Sequence, residues 1–202
     1  MNGRHIAVAI TGASGSIYGL RLVQELLAAG CCLSVLVSRA GFAVLKEEHH
    51  LDWSGEADLV NVRLRRHFNV EAEQLRYYAD SDFHSPLASG SSTASAMVVV
   101  PASMGTVARI AAGVSGNLLE RAADVMLKEK RPLLMVPRET PLSAIHLENM
   151  LKLARLGVSI IPAMPGFYGK PQTVDDLVNF VVGKVLDALA VEHALYQRWG
   201  EN

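Results

Sequence analysis

Cysteine is scarce in this 202-residue chain, which has only Cys31 and Cys32, side by side. Adjacent cysteines cannot staple distant segments, so a disulfide framework is excluded; packing is their expected role and a reducing compartment follows. No apolar run approaches the ~18 residues that a bilayer span needs, and the early stretch IAVAI is too short for a signal peptide. We therefore expect a soluble, cytoplasmic protein. A surplus of either charge is missing too: 19 Lys and Arg stand against 20 Asp and Glu. Without a basic block or an acidic tail, neither nucleic acid nor an anionic membrane is the expected partner, and a small molecule is. The seven histidines lack HxH or HExxH spacing for a metal, and no GxSxG elbow marks a hydrolase. Metal-dependent and covalent mechanisms lose ground.

Half of the residues are apolar, enough for one good core, and the length favours a single domain over residues 1–202. Five short β-branched runs read as strands covered on both faces: IAVAI (6–10), LSVLV (33–37), AMVVVP (96–101), PLLMVP (132–137) and SIIPA (159–163). Helical patterns alternate with them, over 17–30, 40–49, 105–113, 118–130 and 143–157. A last helical pattern, 173–189, opens on Thr173 as a cap followed by two acids, which suit the positive end of a helix. The alternation predicts an α/β fold, a three-layer flavodoxin-like or Rossmann-like sandwich around a parallel sheet. Residues 52–93 break the pattern with the charged RLRR, the aromatics Tyr77, Tyr78 and Phe83, and the small-residue run ASGSSTAS. They are expected to form an excursion with its own strands or a functional flap.

Ligands of such sheets gather beyond the carboxyl ends of the strands, and four ends here carry unusual residues. TGASGS follows the first, Ser38 the second, PASMGT (101–106) the third and PRETP (137–141) the fourth. Gly12 and Gly15 permit a tight turn, and the amides opening the next helix, with Ser14 and Ser16, offer donors to an anion. Ser38 and the Ser103–Thr106 segment would bring more hydroxyls and helix amides to the same crevice. A tight structural turn and ordinary N-caps stay open as alternatives, because GxGxxG spacing and a P-loop lysine are lacking. Arg138 and Glu139 follow a buried strand and Lys128 ends the helix before it, so two cations and a carboxylate would meet near one rim. That grouping suits proton transfer beside a departing phosphate, and equally suits a surface ion-pair cluster. Glu47 and Glu48 read as solvated helix residues.

Together TGASGSIYGLRL, the Ser38–Leu45–Glu48 spacing, ASGSS, PASMGT, NLLERAADVMLKEKRPLLMVPRETPLS, HLENMLKLARLG, PAMPGFYGKPQTVDDLV and the closing RW resemble the flavin prenyltransferases of the UbiX type, over nearly the whole chain. The resemblance implies a flavodoxin-like fold and transfer of a dimethylallyl group from dimethylallyl monophosphate to N5 and C6 of reduced FMN. It implies no metal, a UbiD-type decarboxylase as recipient of the prenylated flavin, and a dodecamer with sites at subunit junctions. By the same resemblance Gly12, Ala13, Ser14, Ser38, Ser103, Met104, Gly105, Thr106 and Arg138 would hold FMN, with Arg121 a further contact. Lys128, Arg138, Glu139, Tyr168 and Lys184 would handle the prenyl phosphate, joined by Glu48 from a neighbouring subunit, with Ser89 and Gly90 of ASGSS also on the substrate side. Phe83 and Trp199 would face the allylic cation, and Glu139, assisted by the Ser14 hydroxyl, would move the proton of ring closure. The tail, about 191–202, would dock on a neighbouring subunit. Phe83 stands where some members have tryptophan, and Lys184 where arginine is usual, which changes size and bidentate geometry but not aromatic or cationic character.

Three other functions compete. An FMN-dependent cysteine decarboxylase of the same fold would need a catalytic histidine after the second strand, where EEHH offers His49 and His50. Direct decarboxylation of a 4-hydroxybenzoate derivative in quinone biosynthesis is the second, and a non-catalytic flavin carrier the third.

Overall fold

The computed structural model describes residues 3–200. Its sheet has six strands, all parallel: β1 (His5–Ile10), β2 (Cys32–Val37), β3 (Leu75–Tyr77), β4 (Ala96–Ala102), β5 (Leu133–Pro137) and β6 (Ser159–Ile160), in the order β3-β2-β1-β4-β5-β6. The connecting helices are α1 (Ser16–Ala28), α2 (Arg39–His49), α3 (Ala57–Phe68), α4 (Met104–Ala111), α5 (Leu118–Lys128), α6 (Ala144–Arg155) and α7 (Val174–Ala188).

Every residue of β4 and β5 is buried, which explains why these strands read as unbroken apolar runs rather than alternating ones. The pleat sends successive side chains to opposite faces. Ile6, Val8 and Ile10 of β1 join one core with Leu22 and Leu26 of α1, Val60 and Leu64 of α3, and Val178 and Val182 of α7. Ala7 and Ala9 face the other core, with Val107 of α4, Ala122 and Met126 of α5, and Leu153 of α6. Three layers result, as the alternation of elements predicts.

The expected excursion at 52–93 contains a helix, α3, and a short edge strand, β3. The five anticipated strands alone have the flavodoxin order 2-1-3-4-5; adding β3 outside β2 extends it to the Rossmann order. Asn61 on α3 closes that edge: its side-chain amide donates to the Tyr77 carbonyl at 3.1 Å and its oxygen accepts the Tyr77 N–H at 2.8 Å. A side chain thus takes the hydrogen bonds that a seventh strand would have made. The fifth anticipated run is shorter as a strand because Pro137 of β5 has no N–H to donate to it, yet Ile161 and Ala163 still donate to the Met135 and Pro137 carbonyls.

Among the described residues no helix is long and apolar enough to cross a membrane.

Candidate active site

The strand order reverses at β1, whose neighbours β2 and β4 lead away in opposite directions, so the crevice beyond β1 and β4 is where an open sheet of this kind receives a ligand. Thr11, at the end of β1 and fully buried, ties these two strand ends together. Its hydroxyl donates to the Pro101 carbonyl at 2.7 Å and accepts the Ser103 N–H at 2.8 Å. Ser103 caps α4, accepting the Thr106 N–H at 3.4 Å and pairing with the Thr106 hydroxyl at 3.0 Å. Ser38 caps α2 in the same manner, accepting the Gly41 N–H at 3.0 Å. Gly12 lets α2 approach: a Cβ built there would lie 2.4 Å from the Ala40 Cβ. The start of α2, the start of α4 and the loop after β1 therefore converge, and the first-turn amides of each helix end face outward.

The turn after β1 holds an anion of the chain's own. Gly15, at φ 99°, caps α1, and its N–H donates to both Glu48 carboxylate oxygens at 2.9 and 3.1 Å. The Ser16 N–H donates to Glu48 Oε2 at 2.9 Å and the Ser16 hydroxyl at 2.6 Å. Partial burial pushes the Glu48 carboxyl up, but the bonds from Ser16, Ser14 and the Gly15 and Ser16 amides outweigh it and hold it below its ordinary value. Glu48 is thus an ionised acceptor at the positive end of α1, not a solvated helix residue. It reaches the turn of its own chain, where the expectation was a neighbouring subunit, because α2 lies across the strand ends instead of running back along the sheet. Arg138 joins from β5, its Nε donating to the Ser14 carbonyl at 2.9 Å. The Ser14 hydroxyl acts on Glu48; Glu139, its expected partner, is exposed and instead accepts the N–H of Thr140 at 3.0 Å.

Other expected residues lie elsewhere. Lys128 ends α5 just before β5 begins, whereas Arg138 and Glu139 follow its end, and a five-residue strand separates the two edges by about 16 Å. The three cannot meet on one rim within a chain. Lys128 contacts Glu129 at the opposite edge. Gly90 lies against that same Glu129, and Arg131 donates to the Gly90 carbonyl at 3.2 Å, so Ser89 and Gly90 belong to this second group. Arg121 pairs with Asp124 at 2.7 Å and donates to Ala88 at 3.1 Å, which fixes the same loop to α5. Phe83, on the loop between β3 and β4, is 47% exposed. Met104 buries its side chain in the core, leaving its amide for a ligand, and Ala13 is buried in the turn after β1. Gly105 is open at the start of α4.

A third group gathers Tyr168, Lys184 and Trp199. Tyr168 meets Trp199 edge-on at 5.4 Å and Phe180 at 5.7 Å, and the Lys184 ammonium sits 5.1 Å from the Tyr196 ring. The tail folds back on its own α7; Glu201 and Asn202 lie outside the described residues.

A family model described as Flavoprotein matches residues 1–186. A flavin prenyltransferase UbiX of Alkalihalophilus pseudofirmus is 52% identical over 97% of this chain and 96% of its own. The chain belongs to the UbiX-type flavin prenyltransferase family. Among solved structures, a UbiX (PadA1) in complex with FMN and dimethylallyl pyrophosphate is 36% identical with TM-score 0.85, covering 98% of both chains. A dodecameric FMN-dependent UbiX-like decarboxylase from Escherichia coli O157:H7 is 39% identical with TM-score 0.83, covering 96% of this chain and 98% of its own. The protein is accordingly a prenyltransferase. The cysteine decarboxylase alternative keeps only the fold: such an enzyme from thioviridamide biosynthesis is 16% identical with TM-score 0.55. His49 Nε2 is buried 3.9 Å from Glu48 Oε2 without a hydrogen-bond partner among the described residues, and His50 ends α2 in a left-handed conformation.

Thr11, Asn61 and Asp187 are the organising residues that sequence reasoning passed over. Thr11 stood within the quoted TGASGS, where its burial had no local signal.

Proposed function

We propose that this enzyme joins the dimethylallyl group of dimethylallyl monophosphate to N5 and C6 of reduced FMN, and that the prenylated flavin passes to a UbiD-type decarboxylase in the cytoplasm. The donor set fits the flavin. Two serine-capped helix ends and Arg138 offer amides, hydroxyls and a guanidinium to a phosphate at the switch point, and Gly12 keeps the approach close. When bound, reduced FMN supplies the electron-rich ring that accepts the allylic carbon as the carbon–oxygen bond to phosphate breaks.

The observation that carries this reading is the meeting of the Ser38 and Ser103 helix caps with the Ser14 turn and Arg138 at the switch point. Glu48, held ionised by the turn, orients the Ser14 and Ser16 hydroxyls at the mouth of the crevice. Arg138 counters negative charge at the same turn. Lys184 keeps its proton firmly, since the bond to Tyr196 pushes its ammonium up, and so suits the departing phosphate with Tyr168. Lys128, Ser89 and Gly90, at the far edge of the sheet, with Arg121 on the outer flank of α5, complete the site of a second copy rather than of their own chain. A dodecamer with junctional sites accommodates this division.

The test combines purified protein and reduced FMN anaerobically with dimethylallyl monophosphate, or with the diphosphate in a parallel arm, and weighs the flavin by mass spectrometry. A prenyl mass gain is expected with the monophosphate. No gain with either donor refutes the reading.

A further inference from the structure

We propose that Asp187 is a positioning residue: it straps the C-terminal segment 191–199 onto α7 and so sets Lys184, Tyr168 and Trp199 for the phosphate end of the prenyl donor. The role in donor binding rests on the function proposed above; the strap itself does not.

One carboxylate collects three side chains of the tail. Tyr196 donates its hydroxyl to Asp187 Oδ2 at 2.5 Å. Arg198 donates through Nη2 to Oδ1 at 2.6 Å and through Nη1 to Oδ2 at 3.4 Å, a two-pronged contact. His193, whose side chain is 3% exposed, stands 3.1 Å from Oδ1 through Nε2. Its Nδ1 accepts the Leu195 N–H at 3.2 Å, so the ring proton belongs on Nε2 and points at Asp187. Burial pushes the Asp187 carboxyl up, and these bonds override it, holding it at about 2. Charge-assisted bonds of this kind are the strong ones.

Gly183 adds an independent observation. It lies inside α7, where glycine weakens a helix. A Cβ there would come within 2.5 Å of Tyr196 Cδ1 and 2.8 Å of His193 Cε1. The helix is bare where the Tyr196 and His193 rings rest on it.

The strap has consequences along its length. It lays the Tyr196 ring 5.2 Å from Phe180 and beneath Lys184, and it carries Trp199 to Tyr168. Tyr168, Lys170, Arg198 and Trp199 then line a hollow of about 490 Å³, where Lys170 is the cation left to meet an anionic headgroup once Arg198 is paired with Asp187. Without the Asp187 charge, Tyr196, His193 and Arg198 lose the one group they share, and the ring contacts that carry Trp199 lose their common anchor point.

Asp187→Asn removes the charge, and Gly183→Ala, which strengthens the helix itself, displaces Tyr196 and His193 by steric contact. Both are examined as full-length oligomers by hydrogen–deuterium exchange of segment 190–199 and by steady-state kinetics with dimethylallyl monophosphate. We expect tail exchange about tenfold faster and the KM for the donor about tenfold higher, with kcat and the Kd for FMN within about twofold of wild type. Unchanged tail exchange in both variants overturns the strap. A released tail with an unmoved donor KM overturns the positioning role. A wild type that alkylates no flavin, with tails released in the variants, upholds the strap and overturns the transferase reading instead.

Discussion

Replacing Glu48 with glutamine keeps its shape and removes the charge that closes the positive end of α1. The carboxylate accepts the Gly15 N–H, the Ser16 N–H and the Ser16 hydroxyl, all between 2.6 and 3.1 Å. An anion at a helix N-terminus contributes up to about 2 kcal/mol in a partly buried setting, and hydrogen bonds to a charged group about 1.5–3 kcal/mol. The amide retains one acceptor and turns an NH₂ toward donors, so a net loss of about 2 kcal/mol is expected, lowering Tm by roughly 4–8 °C in a chain of this size. The pH dependence follows from the lowered carboxyl. Its stabilisation is fully present above the ordinary value of 4.5 and is lost as pH falls through the depressed folded value, so the gap between wild type and variant should narrow in acid. Differential scanning fluorimetry at pH 7 and in acid reads both effects. Glu48→Ala goes further and empties the turn, so inorganic phosphate at ten times its dissociation constant should raise the Tm of that variant by more than it raises wild type, worth about 1.4 kcal/mol. Equal Tm values for wild type and Glu48→Gln at pH 7, or a gap of constant size across the acid range, would refute the assignment of Glu48 to this turn.

Thr11→Val is isosteric but strands the Ser103 N–H, which should cost about 1–3 kcal/mol and weaken FMN binding several-fold, as read by flavin fluorescence titration. Gly12→Ala forces a methyl against Ala40 and should destabilise by about 1–3 kcal/mol with loss of FMN affinity; Ala40→Gly in the same chain should restore much of both. Ser14→Ala and Lys128→Ala should each slow prenylation severely. Co-assembly of the two variants in equal amounts should return about a quarter of wild-type turnover, because each junction draws one group from each copy. No recovery in verified mixed oligomers would place both residues in one chain's site.

Five strands announced themselves because burial on both faces leaves an unbroken apolar signature, as in AMVVVP and PLLMVP. β3 gave no such sign: it has three residues, its Arg76 is exposed, and Asn61 on α3 closes its outer edge. α3 was hidden for a related reason, since only Val60, Asn61 and Leu64 of its twelve residues are buried, and Leu59 and Val62 are exposed. The strand-end residues Ser14, Ser38 and Ser103 were legible because topology alone takes them to one edge. Glu48 was not, since its partnership with Gly15 bridges 33 positions and depends on α2 lying across the strand ends.

The placement of Lys128 shows how reading along the chain differs from reading across a sheet. Lys128 and Arg138 are ten positions apart, close enough in sequence to suggest a common rim. A helix that leads into a parallel strand must end where the strand begins, so the strand carries the next strand-end residue to the opposite edge. The same rule assigns Gly90, held by Arg131 just before β5, and its neighbour Ser89 to the edge away from Ser14 and Arg138. A chemistry that needs Lys128 and Arg138 on one phosphate then requires a second copy whose far edge meets the first copy's near edge. That contact joins unlike surfaces, so it propagates and closes only as a ring or a higher point group. Under the proposed function, the sharing of one reaction between two edges of a parallel sheet calls for a closed oligomer rather than a monomer.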